Sequence, residues 1–389
     1  MTRRVIIHLG PEKTGSTALQ RHLLGHRDEL LERHGVLYPL SGRDPEHASE
    51  AHMRLFFTAQ RGGALEEVVN DLLREADEGR AEVIVLSHER LGHLYRHRPE
   101  SIGRLQELLR GCEVDLVLYP RRQDNWIMSD YNQRLKPAVF LARIGLDKEI
   151  EESGLEGAYW RVDYAAMLQA WEEAFRARII VRPFERSQLR DGDVIADFGD
   201  VIGVDLRPFR PVGSERFNTS LHDLAVSFAV QANALMRRWY PPRLWEAWGD
   251  VLRAYNEHLR YDFADALADE DERRFGPLLS PSRRREVMSR FVEGNELVAR
   301  RYLPKRGDRL FDEDAPPSDA PWAPPARVEG RHVDRLGPLV GLGETVPGED
   351  VPAKMRRVLT AFVDARGGRP SGGARLRARL SDRLARIRG

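Results

Sequence analysis

Short runs of consecutive apolar residues alternate with segments of helical periodicity along the first half of the chain. The apolar runs predict strands at 5–9, 35–39, 82–87, 114–119 and 178–184. Near-continuous apolar strands of this kind are typical of sheets that are covered on both faces. Their alternation with helical segments predicts βαβ units, and therefore an α/β fold with a central, mainly parallel sheet flanked by helices.

Helical periodicity fills the segments between these strands. The predicted helices of the first half lie within 19–31, 47–60, 65–76, 99–109, 162–171 and 194–202. Asp163 is expected to be the N-cap of the helix within 162–171, and Gly203 is expected to end the helix at 194–202. The second half of the chain predicts helical structure from 221 to 303.

Composition then separates a domain from a tail. We expect a domain over 1–312, made of an α/β core at 1–205 and a helical part at 206–312. Several prolines predict a stiff, extended linker over 313–335. The tail, 336–389, ends in a short basic amphipathic helix that could touch an anionic acceptor, a membrane surface or a second subunit, or could stay solvated.

The loop after the first strand has the composition of an anion site. It contains two glycines, one lysine and three hydroxyl residues, namely Gly10, Lys13, Thr14, Gly15, Ser16 and Thr17. A strand, a Gly-containing loop and a helix N-terminus direct backbone N–H groups toward one point, where the helix dipole favours negative charge. Gly10 and Gly15 have the Walker A spacing, but Ser16 stands where that motif has its lysine. The remaining alternative is a Gly-rich turn that binds nothing.

Two more polar groups follow predicted strands. Ser87, His88 and Glu89 come after the third strand, and Arg121 with Arg122 comes after the fourth. Ligands of open parallel sheets gather at the carboxyl ends of the strands. We therefore expect these residues to meet the Lys13 loop at one edge of the sheet.

The sequence Lys-Thr-Gly-Ser-Thr at 13–17 resembles the 5′-phosphosulfate loop of sulfotransferases that use 3′-phosphoadenosine-5′-phosphosulfate (PAPS). Arg121 and Ser129 have the spacing of the 3′-phosphate ligands in that family, and Ser87-His88-Glu89 is similar to its bacterial branch. The likeness covers about residues 4–205 and continues more weakly to 311. One departure is Arg-Arg-Gln at 121–123 in place of the Arg-Asp/Asn-Pro opening.

The resemblance implies a P-loop-like sulfotransferase fold and a role for each matching residue. Lys13 would neutralise the leaving phosphate, while the amides from Thr14 to Thr17, including Gly15, and the hydroxyls of Ser16 and Thr17 would cradle the 5′-phosphate. Arg121 and Ser129 would hold the 3′-phosphate. Glu89, with His88 as second choice, would accept the proton of the acceptor hydroxyl. Arg122 is open between a second phosphate ligand and a surface charge.

Composition limits the remaining possibilities. The 389 residues balance at net zero charge, which argues against a nucleic-acid partner. Apolar runs are too short for a signal peptide or a membrane span, and a lone cysteine, Cys112, fits a cytoplasmic protein. We expect no metal, since the histidines lack ligand spacing. His8 is expected to pack or to hydrogen-bond locally.

The acceptor is open among carbohydrates, lipids and small metabolites, and the aromatic segment 239–248 could either line its cleft or pack in a core. Two rival functions remain. One is a nucleotide-dependent kinase, which would need its lysine beside Ser16 and an acidic Mg²⁺ ligand at a strand end. The other is a nucleotide-binding module without catalysis.

Overall fold

A computed structural model describes residues 2–44, 49–136, 142–209, 220–240, 249–343 and 348–366 of the chain. The chain divides into two compact units, each built from three separate segments. The first consists of Met1–Trp126, Glu156–Phe217 and Arg284–Pro316, and the second of Ile127–Leu155, Asn218–Arg283 and Pro317–Gly389. These boundaries differ from the expected divisions at 205/206 and 312/313, because each unit combines segments that lie far apart in the sequence.

The first unit contains a five-stranded sheet in the order β2-β3-β1-β4-β5. The strands are β1 Arg4–His8, β2 Val36–Leu37, β3 Val83–Ser87, β4 Glu113–Leu118 and β5 Arg178–Val181. Every pairing is parallel. The predicted α/β class and parallel sheet are confirmed, and each strand lies within or next to its predicted apolar run.

The central strand β1 pairs with β3 on one side and with β4 on the other. Ile6 lies opposite Val85 and Asp115, and His8 lies opposite Ser87 and Val117. On one face of the sheet, Ile6 packs in a core that includes Leu19, Leu23 and Phe198. Because β3, β1 and β4 are adjacent and parallel, the segments that follow them emerge side by side.

Helices surround the sheet in the first unit. They are α1 Ser16–Gly25, α2 Arg27–His34, α3 Met53–Arg61, α4 Leu65–Glu78, α5 Leu94–His97, α6 Pro99–Leu108, α9 Tyr164–Ala174, α10 Val194–Ile202 and α15 Val292–Tyr302. The expected caps are confirmed: the side chain of Asp163 accepts the N–H of Ala166 at 3.0 Å, and Gly203 ends α10 in a left-handed conformation.

Helices form most of the described second unit. They are α11 Asp223–Trp239, α12 Gly249–His258, a π-helix at Leu259–Phe263, α13 Ala264–Leu267, α16 Gly330–Asp334 and α17 Val351–Asp364. Three more helices contain residues of both units, namely α7 Gln123–Leu135, α8 Leu146–Ala158 and α14 Pro281–Ser289. Short 3₁₀ turns lie at Tyr159–Val162, Arg190–Gly192, Glu270–Glu272, Pro304–Arg306 and Pro338–Val340.

Several details of the C-terminal half differ from expectation. Apart from one 3₁₀ turn, 268–280 is not helical, so the predicted helical stretch from 221 to 303 is interrupted. The tail contains α17, which sequence inspection missed although its buried residues repeat at helical spacing: Met355, Val358, Leu359, Phe362 and Val363. The predicted basic helix near 374–387 and most of the segment 239–248 lie outside the described residues.

Candidate functional site

The loop between β1 and α1 has a backbone that suits an anion. Lys13 and Gly15 both have positive φ, 69° and 79°. Gly15 is the N-cap of α1 and provides no capping side chain. Among the described residues, the N–H groups of Ser16, Thr17 and Ala18 donate to no protein acceptor. The first turn of α1 therefore retains the donors that bind phosphate at helix N-termini.

Two hydroxyls of the loop stabilise the loop itself. Thr14 donates from Oγ1 to the carbonyl of Pro11 at 2.7 Å, and Ser16 donates from Oγ to the same carbonyl at 3.4 Å. Both side chains are buried, whereas Thr17 is half-buried. These bonds shape the turn around Lys13 before any ligand arrives.

Gly10, in the loop after β1, contacts the segment that follows β3 and the residue that follows β4. A Cβ built on Gly10 would lie only 2.2 Å from the carbonyl oxygen of Glu89, and φ of Gly10 is +95°. On the other side, the Gly10 carbonyl accepts the N–H of Tyr119 at 3.2 Å. The loop after β1 thus contacts both the segment after β3 and the end of β4, as expected from the sheet order.

Arg121 lies against this loop. Its Nη1 donates to the carbonyl of Lys13 at 2.7 Å, and its guanidinium lies 5.9 Å from the ring centre of Phe184. The hydroxyl of Tyr164 donates to the Arg121 carbonyl at 2.7 Å and lies 3.1 Å from the Arg121 N–H. Burial lowers the pKa of Arg121 from its usual range. A half-buried guanidinium bonded to this loop strengthens its positive potential.

Arg122 is not the exposed surface charge that was one of its two open interpretations. Only 4% of Arg122 is exposed, and its Nε donates to Asp124 at 2.8 Å. Asp124 is fully buried and also accepts from Arg284 at 2.7 Å. Arg122 further donates to the carbonyl of Asp314 at 2.7 Å. Arg122 is therefore part of a buried ion-pair network, so the surface-charge interpretation is wrong, and its role as a second phosphate ligand stays a prediction.

His88 and Glu89 have different environments after β3. His88 stacks on Phe56 with ring centres 4.5 Å apart, and its Nδ1 accepts the N–H of Arg90 at 3.1 Å. Burial lowers the pKa of His88 to about 3. Glu89 is half-buried, and burial, helped by the charge of Glu50, raises the pKa of its carboxyl. Glu89 is thus the better placed of the two to accept a proton near neutral pH.

Two residues that the sequence singled out, Ser129 and His8, remain. Ser129 is on α7, the helix that follows Arg121 and Arg122, and belongs to the second unit, so its part in a phosphate site stays a prediction. His8 lies 2.8 Å from Ser87 Oγ through Nδ1 and packs edge-on against Tyr119, which confirms the expected local role.

Sequence analysis missed several residues that support the loop. Trp126 donates from Nε1 to the carbonyl of Glu12 at 2.8 Å, and Arg90 pairs with the Glu12 carboxylate at 3.2 Å. His93, almost fully buried, lies 3.7 Å from that carboxylate. The sequence did offer a signal for three of these residues. Arg90 and His93 follow the end of β3, Trp126 follows the end of β4, and each is basic or aromatic.

Comparison with known proteins gives one relative. A protein of Archaeoglobus fulgidus, called an uncharacterized protein, is 27% identical over 210 residues. The match covers 51% of this chain and 48% of that protein, so the chain spans about half the length of the relative. No family model and no solved structure matches the chain. No helix within the described residues has the length and apolar character needed to cross a membrane.

Proposed function

We propose that this chain is a PAPS-dependent sulfotransferase that transfers a sulfuryl group to a hydroxyl of a carbohydrate, lipid or small metabolite. The observation that carries the proposal is the loop ahead of α1. It combines left-handed residues at Lys13 and Gly15, open N–H donors at the start of the helix, and Arg121 held 2.7 Å from the Lys13 carbonyl. Such a loop suits a phosphate, and the order Lys-Thr-Gly-Ser-Thr adds the likeness to the sulfotransferase family.

The proposed donor site follows from these residues. The Lys13 ammonium, the N–H groups from Thr14 to Thr17 and the Thr17 hydroxyl hold the 5′-phosphate end. The Ser16 hydroxyl joins them by exchanging its 3.4 Å bond to the Pro11 carbonyl for the phosphate. Arg121 provides a guanidinium for the 3′-phosphate, and Ser129 adds a hydroxyl to it. The role of Ser129 rests on the family resemblance, whereas that of Arg121 is supported by its contact with the loop.

The proposed reaction is an in-line displacement at sulfur. The acceptor oxygen forms a bond to sulfur while the bond between sulfur and the 5′-phosphate oxygen breaks, so that 3′-phosphoadenosine-5′-phosphate (PAP) leaves with the electron pair. Glu89 takes the proton of the acceptor hydroxyl, and Lys13 stabilises the charge that develops on the phosphate. The raised pKa of Glu89 favours it over His88, whose pKa is lowered and whose Nδ1 already accepts a hydrogen bond.

We also propose a cytoplasmic location without a nucleic-acid partner. The support is the lone Cys112, a half-buried thiol whose pKa is raised by burial, and the balanced charge of the chain. A weak surface contact through the predicted basic helix near 374–387 is part of the same proposal; those residues lie outside the described part of the chain.

Radiolabelled PAPS tests the proposed reaction directly. The enzyme is incubated with PAPS and a panel of carbohydrate, lipid and small hydroxyl acceptors, with and without EDTA. We expect a sulfated product and PAP in equal amounts, unaffected by EDTA, and a loss of about 100-fold or more in Glu89→Gln. His88→Gln is the matched control and should retain most of the rate.

Two results would replace the proposal. Phosphate transfer from ATP that EDTA abolishes would establish the rival kinase. PAP binding without transfer to any acceptor, and with no effect of Glu89→Ala together with His88→Ala on the biological activity, would establish a non-catalytic nucleotide-binding module.

A further inference from the structure

The second unit contains a large apolar cavity. Its volume is about 510 Å³, within the roughly 300–1,000 Å³ that small-molecule pockets occupy. Most of its lining is apolar and comes from α7, the start of α8, α11, the segment 325–328 and the start of α17. The residues that matter here are Tyr131, Leu146, Val226, Val230, Leu278 and Val328. No residue of the β1–α1 loop or of the strand ends contributes to this lining.

One wall of the cavity is fixed by hydrogen bonds. The proline-rich segment was expected to be an extended linker, yet Trp322 donates from Nε1 to the carbonyl of Pro277 at 2.8 Å. The N–H of Ala326 donates to Asp223 at 3.2 Å, and Asp223 in turn accepts from Arg274 at 2.6 Å. These bonds hold the segment before any ligand binds, so the cavity is preformed.

Arg327 gives this apolar cavity a positive charge. It lines the cavity and is exposed, and no described residue forms an ion pair or hydrogen bond with its side chain. Its neighbours behave differently: Arg331 pairs with Glu272 at 2.6 Å, and Arg335 pairs with the same carboxylate group at 2.7 Å. An arginine with no described carboxylate partner at the edge of an apolar cavity is complementary to an anion attached to an apolar body.

We propose that this cavity binds a small amphipathic anion, whose apolar body lies among Val226, Val230 and Leu278 and whose carboxylate or other acidic group pairs with Arg327. Ser227 and Gln231 lie on the same helix face of α11 and add polar groups beside the head of the ligand. The proposal concerns the second unit alone and does not depend on the donor site.

Calorimetric titration of the full chain with dodecanoate tests the proposal, with dodecanol as the neutral analogue. We expect saturable binding of dodecanoate and binding of dodecanol that is about tenfold weaker. Arg327→Gln should weaken dodecanoate binding about tenfold and leave dodecanol binding unchanged. Arg331→Gln, an exposed arginine of the same region that does not line the cavity, is the matched control and should bind as the wild type does.

Two variants that fill the cavity locate the site. Val230→Trp should abolish binding of both compounds, and Ser227→Phe serves the same purpose if the first variant does not fold, as judged by circular dichroism. Dodecanoate that fails to bind up to about 1 mM, or that binds equally well to both filled variants, would overturn the proposal. Equal affinity for dodecanol and dodecanoate would overturn the assignment of an anionic ligand.

Discussion

The loop before α1 and the cavity of the second unit are built in opposite ways. The loop is one short polar stretch, and its shape comes from positive φ at Lys13 and Gly15 and from hydroxyls that bond back to Pro11. The cavity is apolar, and its lining runs from Tyr131 to Pro352 in the sequence. A local polar site can be recognised from a motif, whereas a cavity assembled from distant segments can only be found once the chain is folded.

The two regions also differ in what stabilises them. Buried charges support the segment beside the loop, where Asp124 pairs with Arg122 and Arg284. Apolar packing supports the second unit, where Phe362 of α17 is fully buried. The polar region should therefore respond to changes of charge and pH, and the cavity should respond mainly to changes of volume.

Asp124→Asn should have the largest effect on stability. The substitution leaves the buried Arg122 and the half-buried Arg284 with a neutral partner, and breaking a buried pair in this way typically costs about 3–5 kcal/mol in the free energy of unfolding. Urea denaturation measures the change. Glu107→Gln removes an exposed, solvent-screened ion pair with Arg104 and should leave the urea midpoint almost unchanged. Similar costs for the two variants would contradict the role given to the buried network.

Gly10→Ala should destabilise the chain by about 2 kcal/mol or more. The new Cβ would lie 2.2 Å from the Glu89 carbonyl, and alanine disfavours the left-handed backbone at this position. The matched control is Gly103→Ala on α6, where no atom lies within 4 Å of the new Cβ. That change should stabilise the chain by up to about 1 kcal/mol. An unchanged urea midpoint for Gly10→Ala would mean that the loop and the β3 end do not meet as described.

Acid should weaken the polar region before it affects the cavity. Burial lowers the pKa of His8 and His52 to about 4 and that of His88 and His93 to about 3. An unfolded chain takes up these protons near pH 6.5, whereas the folded chain resists them down to the lowered values. Stability is therefore present above pH 6.5 and falls as the pH drops, by about 1.4 kcal/mol per pH unit for each such histidine.

Urea denaturation between pH 7 and pH 5 measures this loss. In His8→Leu, the slope of the unfolding free energy against pH should decrease by the contribution of one proton. Dodecanoate binding should hardly change between pH 7 and pH 6, because the cavity lining contains no group that titrates there; burial raises the pKa of its Tyr131. A stability that stays constant down to pH 5 would contradict the buried, neutral histidines.

Glu89→Gln should have the smallest effect on stability. Burial raises the pKa of Glu89 in the folded chain, so the folded state binds this proton more tightly than the unfolded state. The protonated Glu89 carboxyl therefore contributes to stability below the pKa that it has in the unfolded chain. This contribution is lost as the pH rises through its higher pKa in the folded chain. The glutamine variant should therefore melt at a higher temperature than the wild type at pH 8 and at the same temperature at pH 4. A lower melting temperature at pH 8 would indicate a stabilising ion pair instead.

Much of the fold of the first unit was predictable because its signals are local. Each of the five apolar runs forms a parallel strand, and Asp163 and Gly203 begin and end their helices as expected. The arrival of the loops after β1, β3 and β4 at one edge follows from parallel pairing alone. The donor role of the loop stays a prediction, because the geometry of the loop suits an anion in general and identifies no particular one.

The remaining features depend on distant contacts. Arg121 and Arg122 are adjacent in the sequence, yet their described hydrogen bonds differ. Arg122 donates to the carboxylate of Asp124 and to the carbonyl of Asp314. Prolines predict an extended backbone, but they do not distinguish a free linker from an extended segment that is docked through Trp322. The apolar residues of α17 repeat at helical spacing and could have predicted this helix. Only the arginine-rich segment nearer the end of the chain was predicted to be helical.

Calorimetric titration with PAP is the measurement that tests the central claim most directly, with 5′-AMP and ATP as competing nucleotides. We expect PAP to bind more tightly than either nucleotide, and Arg121→Ala to weaken PAP binding about 10- to 100-fold. Arg104→Ala, which removes an exposed arginine on α6, should leave PAP binding unchanged. Binding of ATP that equals or exceeds that of PAP, with no effect of Arg121→Ala, would contradict the proposed sulfotransferase.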